Sequence, residues 1–293
     1  MDFVFENSRG ELLDLWHNQW FYLIEQAGQT QGTANISALT IGDVDGDIPT
    51  NVNAQPRTIV LSLRIKQTAN VEDAKRAITK IVKLKQTGTI IWTQNNFTKK
   101  ITGIVEAISM PRWNNAVVMQ IQLHCSEPYW KDAVQTIQQI NEAVGLHYFT
   151  AENDTSSYML YFPEDGRPLG EYDTTRSRTF TNNGDVAVGM NIEILALDTV
   201  TDPIIYDQNG DFIGIGYGMK PVVLEAGDVI RISTIRGNLS VIKNKNTNML
   251  NYVKPRSNLR MQIQTGENTF RIDSDDASTE NMVFSLTFTQ EYI

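Results

Sequence analysis

Few side chains in this 293-residue sequence can do covalent or metal chemistry, and their spacing keeps them apart. Cys125 is the only cysteine, which excludes an intrachain disulfide and any multi-cysteine zinc or iron–sulfur site. His124 adjoins it, but neighbours on a strand point to opposite faces and cannot form a thiol–imidazole pair directly. A core cysteine at the end of a strand is the favoured reading. His17 and His147 lie far from His124 in sequence, which limits acid–base and metal chemistry further. Asp43-Val44-Asp45-Gly46-Asp47 opens like a calcium loop. Ile48 then stands where that loop needs glycine, and Ala54 where it needs a bidentate glutamate, so a turn is favoured. Asp273-Ser274-Asp275-Asp276 has the carboxylates to hold a cation, although acidic loops between strands are commonly just solvated.

Gly210, Gly214, Gly216 and Gly218 make a glycine-rich stretch with no helix after it to present backbone amides to phosphate. A twisted strand or bulge explains it better. No Gly-x-Ser-x-Gly elbow occurs. Glu164, Asp165, Glu193 and Glu225 could be paired for glycosidase chemistry, but a chain with 34 acids supplies such pairs by chance. Tyr158, Tyr161, Tyr172 and Tyr217 are aromatics of the kind that stack on sugars, with core packing or subunit contact as the default. The expectation is therefore a chain with no catalytic, cofactor or metal residues.

The elements that would position these groups are mostly strands. Val4, Phe5, Leu12, Leu13 and Leu15 surround a turn-prone Asn7-Ser8-Arg9-Gly10, and Trp20–Ile24 is aromatic and β-prone. Residues Gly28 to Gln55 are polar and rich in Gly, Thr and Asn, which predicts a long loop or hairpin arm. Ile59, Leu61, Leu63 and Ile65 alternate with Val60, Ser62, Arg64 and Lys66 as a half-buried strand does. Val71 to Lys85 has helical periodicity, with Asn70 as N-cap, acids in the first turn and lysines near the end. Strands over Thr89–Thr93, Lys100–Ser109 and Ala116–Cys125 complete an α+β domain. A short helix over Lys131 to Val144, stopped by Gly145, is expected as a connector. Beyond it, short strand-like runs from Ser157 to Tyr292, Ser157–Phe162 and Arg260–Gln264 among them, predict a β-sandwich or jelly roll. The expected boundaries are 1–130 for the first domain, 131–150 for the connector and 151–293 for the second.

Composition agrees with such a scaffold. With 41% hydrophobic residues the chain can bury real cores, and no window approaches the ~20 apolar residues of a membrane span. No secretory signal opens it. A net charge of −9 argues against nonspecific phosphate binding.

Several motifs, taken in order, resemble the distal tail protein (Dit, or phage tail component) family of siphophages. They are the Asp45-Gly46 turn, the Arg57–Leu61 strand, the Val71–Lys85 helix and Leu123-His124-Cys125-Ser126-Glu127-Pro128-Tyr129-Trp130. Phe180–Val186, Asn191–Ile194, Gly227–Ile232 and Gly266–Phe270 continue the match. The resemblance implies a mainly β protein without enzymatic activity. An N-terminal β-sandwich-like ring domain with one helix would be followed by a galectin-like C-terminal sandwich (jelly roll). It implies a ring, commonly hexameric, at the tail tip of a virion, assembled in the host cytoplasm. Its partners would be further copies of itself, the tail tube protein, the tape measure protein and a tail-associated hub, fibre or receptor-binding protein. DNA would pass through a neutral or acidic lumen without specific binding. The arm residues Gly32, Asn35, Asp43, Asp45, Asp47, Pro49 and Asn51 are then expected to touch a neighbouring subunit or the tube. The alternative is a host-recognition protein that binds saccharide on its C-terminal sandwich.

Overall fold

Alternation of apolar and polar residues drives the fold, because a strand that buries one face needs a period of two. The computed structural model describes residues 2–28, 32–40, 42, 45–95, 97–110, 112–113, 116–140, 143–145, 170–172, 176–275 and 279–293. It divides into two units, Met1–Val134 with Glu291–Ile293, and Gln135–Gln290.

In the first unit one antiparallel sheet runs in the order Leu12–Asp14, Asp2–Asn7, Thr87–Gln94, Phe97–Ser109, Ala116–Cys125, Arg57–Ile65, Phe21–Ala27. Ile59, Leu61 and Leu63 point into the core beside Met119, Ile121 and Leu123, while Gln120, Gln122 and His124 face outward and are half-buried. The expected alternation is thus the observed one. Burying each such side chain contributes roughly 1.5–3 kcal/mol. The helix spans Val71–Ile81, shorter than the expected Val71–Lys85, and Ala74 and Ile78 are buried. Asn70 caps it, its side chain accepting from the Glu72 N–H at 2.9 Å. The chain leaves the helix at Val82, and Lys85 then adopts a φ of 63° with its N–H donating to the Val105 carbonyl.

The helix expected over Lys131 to Val144 is absent. Strands Trp130–Asp132, Thr136–Ile140 and Ala143–Gly145 occupy that stretch. Val134, Thr136, Ile137 and Ile140 are β-branched, and Thr136–Ile140 gains ladder bonds from Met282–Phe288 that an isolated short helix would lack. Trp130–Asp132 pairs with Lys99 and Lys100 on one side and with Glu291–Tyr292 on the other. The last three residues therefore belong to the first unit. Tyr292 donates to Asp132 at 3.1 Å, and its ring lies 3.5 Å beneath the Lys99 ammonium.

In the second unit a six-stranded sheet has the order Thr136–Ile140, Met282–Phe288, Asn191–Ala196, Val229–Ser233, Ser240–Lys243, Thr247–Asn248. A four-stranded sheet runs Ser177–Asn182, Gly266–Asp273, Ile204–Tyr206, Phe212–Gly214. Phe180 stacks on Phe270 of its own sheet at 5.5 Å and on Phe288 of the other at 5.7 Å, so the sheets face each other as a sandwich. No strand forms over the expected Arg260–Gln264, where Ile263 makes a single bridge to Val188. The expected Ser157–Phe162 strand lies outside the described residues.

Two outcomes test these contacts. Tyr292→Ala should destabilise the first unit by about 2 kcal/mol, read by chemical denaturation, since it removes the hydrogen bond and cation–π contact of a strand-end residue. In the second unit Asp228 is held at about 2 by hydrogen bonds from Lys243 and Asn244 and from the Glu225 N–H. Its contribution is present above its unfolded value near 4 and is lost as pH falls toward 2. Asp228→Asn should therefore cost about 1 kcal/mol at neutral pH, after solvent screening, with the difference vanishing between about pH 4 and pH 2.

Candidate assembly surface

Strands Ala34–Thr40 and Asp47–Ala54 form a two-stranded antiparallel ribbon, which joins no other sheet among the described residues. Every described residue of both strands is exposed. The ribbon is closed at its base by the Gln55 N–H to the Thr33 carbonyl at 2.8 Å. Pro49 has no N–H to give the ladder, and the register shifts beside it. Thr50 is the extra residue, and its hydroxyl donates to the Ser37 carbonyl at 2.9 Å. Its seven cross-strand pairs carry the ribbon about 24 Å from its base.

The structure brings the described arm residues onto this one element. Gly32 precedes the first strand, where an added Cβ would meet Ile293 Cγ2 at 3.2 Å. Asn35 pairs with Asn53, Asn51 with Ser37, Pro49 with Ala38 and Asp47 with Thr40. Asp45 is exposed in the connecting turn, and Asp43 lies outside the described residues. Four residues that sequence reasoning passed over are Ile36 (62% exposed), Leu39, Ile48 and Val52. They form the cross-strand pairs Ile36–Val52 and Leu39–Ile48. Positions 36 and 39 differ by an odd number, so the pairs lie on opposite faces of the ribbon. The signal was available: these apolar residues mirror one another around Asp45-Gly46. A lone two-stranded ribbon is marginal in water, and one with an apolar pair on each face presents surface suited to a protein partner.

The edges of the large sheet are similarly open among the described residues. Phe21–Ala27 ends the path on one side and exposes Tyr22 and Ile24; Leu12–Asp14 ends it on the other, with Leu12 and Trp16 exposed. Such edges are templates for further strand pairing.

The groups considered for chemistry are placed differently. Cys125 is fully buried, its Sγ packed where Gly103 leaves no room for a side chain, and burial pushes the thiol up to about 11. It is therefore a core residue, protonated and inert at neutral pH. Glu193 is paired with Arg231 at 2.7 Å, and Glu164 and Asp165 lie outside the described residues. Among the described residues no group of three or more His, Cys, Asp or Glu is placed to hold a metal ion. Gly210 (φ 85°) serves a turn, and Gly216 (φ 93°) lies so close to the buried Asp202 that a Cβ would overlap its Oδ1. These backbone demands account for Gly210 and Gly216. Of the four tyrosines, Tyr217 is half-buried at a hairpin bridging Lys220, and Tyr172 lies on the Gly170–Tyr172 strand. Tyr158 and Tyr161 lie outside the described residues.

Fold and surface together define a mainly β, two-unit scaffold with a protruding ribbon. That fold is the fold of the Dit protein (gp 19.1) of phage SPP1. The two structures superpose with a TM-score of 0.65 at 12% identity, covering 99% of this chain and 99% of the other. SPP1 Dit is described as a paradigm of the hub adsorption apparatus in phages infecting Gram-positive bacteria. Chains of the phage P2 baseplate in its activated conformation, one with Ca and one with Sr, match at 11% identity and a TM-score of 0.46, covering 100% of this chain and 99% of the other. No protein-family model and no curated protein matches the sequence.

If the ribbon's apolar residues serve association rather than folding, Ile36→Ser with Val52→Ser should leave stability within about 0.5 kcal/mol of the parent, measured by urea denaturation. A larger loss would place these side chains in the folded core instead.

Proposed function

We propose that this chain is a structural distal-tail protein of a phage tail tip, without enzymatic activity. Its copies close into a ring, commonly of six, that joins the tail tube to the receptor-binding apparatus. The observation that carries this reading is the fold shared with SPP1 Dit over 99% of both chains. Open sheet edges and an exposed ribbon support it, since a ring subunit needs different surfaces on its two flanks to meet the next copy head to tail. In this reading the first unit builds the ring. The second is a galectin-like sandwich outside it. The tube protein, the tape measure protein and a hub, fibre or receptor-binding protein are the partners, and DNA passes through the lumen without specific capture. The ribbon, with Gly32, Asn35, Asp45, Asp47, Pro49 and Asn51 along it, reaches a neighbouring subunit or the tube, and Asp43, of the same stretch of sequence, is assigned to that contact.

Mass photometry of the purified chain tests both levels of the proposal. The parent should give closed oligomers, and deletion of residues 32–49 should shift the population strongly toward monomer with the sandwich units still folded. Retained rings and tube attachment after the deletion would sink the role of the ribbon. A parent chain that stays monomeric, alone and with tube protein, would sink the ring.

A further inference from the structure

Charge is segregated along the first unit far more sharply than the net −9 suggests. From Gly10 through Pro56 there are six acids (Glu11, Asp14, Glu25, Asp43, Asp45, Asp47) and no lysine or arginine. From Arg57 through Lys100 there are ten basic residues and only two acids, Glu72 and Asp73. Five of the cations, Lys75, Arg76, Lys80, Lys83 and Lys85, are exposed along the Val71–Ile81 helix and the turn after it. None of them is within ion-pair distance of a carboxylate among the described residues. Glu11, the acid whose field Lys80 reaches, is already bonded by Asn7 and Arg9, each at 2.6 Å. Leu84, between Lys83 and Lys85, is 54% exposed. The free end of the ribbon shows the opposite combination: Asp45 and Asp47 beside the exposed Leu39–Ile48 pair.

We infer that the ribbon tip of one copy docks on the cationic helix ridge of a second copy of this chain. Asp45 and Asp47 would face the ridge cations, and Leu39 and Ile48 would cover Leu84. Both surfaces are open in the single copy, so each is available to another. The contact joins two different patches and therefore propagates head to tail, which closes into a ring when the rotation permits. Opposite fields also speed encounter and set register, and they do so less at high salt. The inference rests on the reading that copies of this chain assemble, and adds which surface receives the ribbon.

The test is a charge exchange in the full-length chain, read by mass photometry at low and high salt, with thermal melts to confirm folding. Asp45→Lys with Asp47→Lys makes an arm variant; Arg76→Glu with Lys83→Glu makes a ridge variant. Each alone should self-associate at least about tenfold more weakly than the parent. An equimolar mixture should recover oligomers, because reversed arms then meet reversed ridges and native arms meet native ridges. Folded ridge variants that assemble like the parent, or a mixture that stays dissociated, would overturn the docking site. If the arm variant fails to assemble while the ridge variant assembles like the parent, the ribbon docks elsewhere and assembly itself stands. A parent that never oligomerises would overturn the docking site together with the ring.

Discussion

Backbone N–H and C=O groups withdrawn from water must be paired, and a chain with one described α-helix meets that demand almost wholly through antiparallel strands. Each sheet then has two ends at which the ladder stops, and the way those ends are treated organises the molecule. Trp130–Asp132 is closed by the returning Glu291–Tyr292, and Thr136–Ile140 covers the flank of Met282–Phe288. Phe21–Ala27 and Leu12–Asp14 are left as path ends, and the ribbon strands Ala34–Thr40 and Asp47–Ala54 have no further strand neighbour among the described residues.

The closed and open edges differ in what they bury. The closed ones sit over cores where Phe3, Phe5, Ile90 and Trp130, or Phe270, Phe284 and Leu286, are almost fully buried. The open ones carry apolar side chains that remain exposed, Tyr22, Ile24, Ile36 and Val52 among them. Natural sheets usually blunt such edges with charge or proline. Here the ribbon keeps its charge at the turn and its proline at a bulge, and leaves two apolar pairs in water.

Much of this was legible in the residues themselves. The strand with Ile59, Leu61 and Leu63, the cap at Asn70 and the burial of Cys125 follow from local pattern, because period and capping chemistry are properties of a few neighbouring residues. The periodicity of 131–144 is ambiguous over so short a run, and the strand state of Thr136–Ile140 comes from partners about 150 residues away. Ile36, Leu39, Ile48 and Val52 were passed over because a polar average hides pairs that matter only once register sets them opposite each other.

The sequence by itself determined a chain poor in nucleophiles and metal ligands, built of two β-rich parts with a polar arm near the start. Residue types and local spacing are enough for that, since they set which chemistry and which period are possible. Only the tertiary structure decided that the last three residues rejoin the first unit, and that the arm is a ribbon with an apolar pair on each face. It also decided that Lys75, Arg76, Lys80, Lys83 and Lys85 stand exposed with no carboxylate within pairing distance among the described residues. Those outcomes depend on pairing between distant segments, and a single strand carries no record of which edge it will meet.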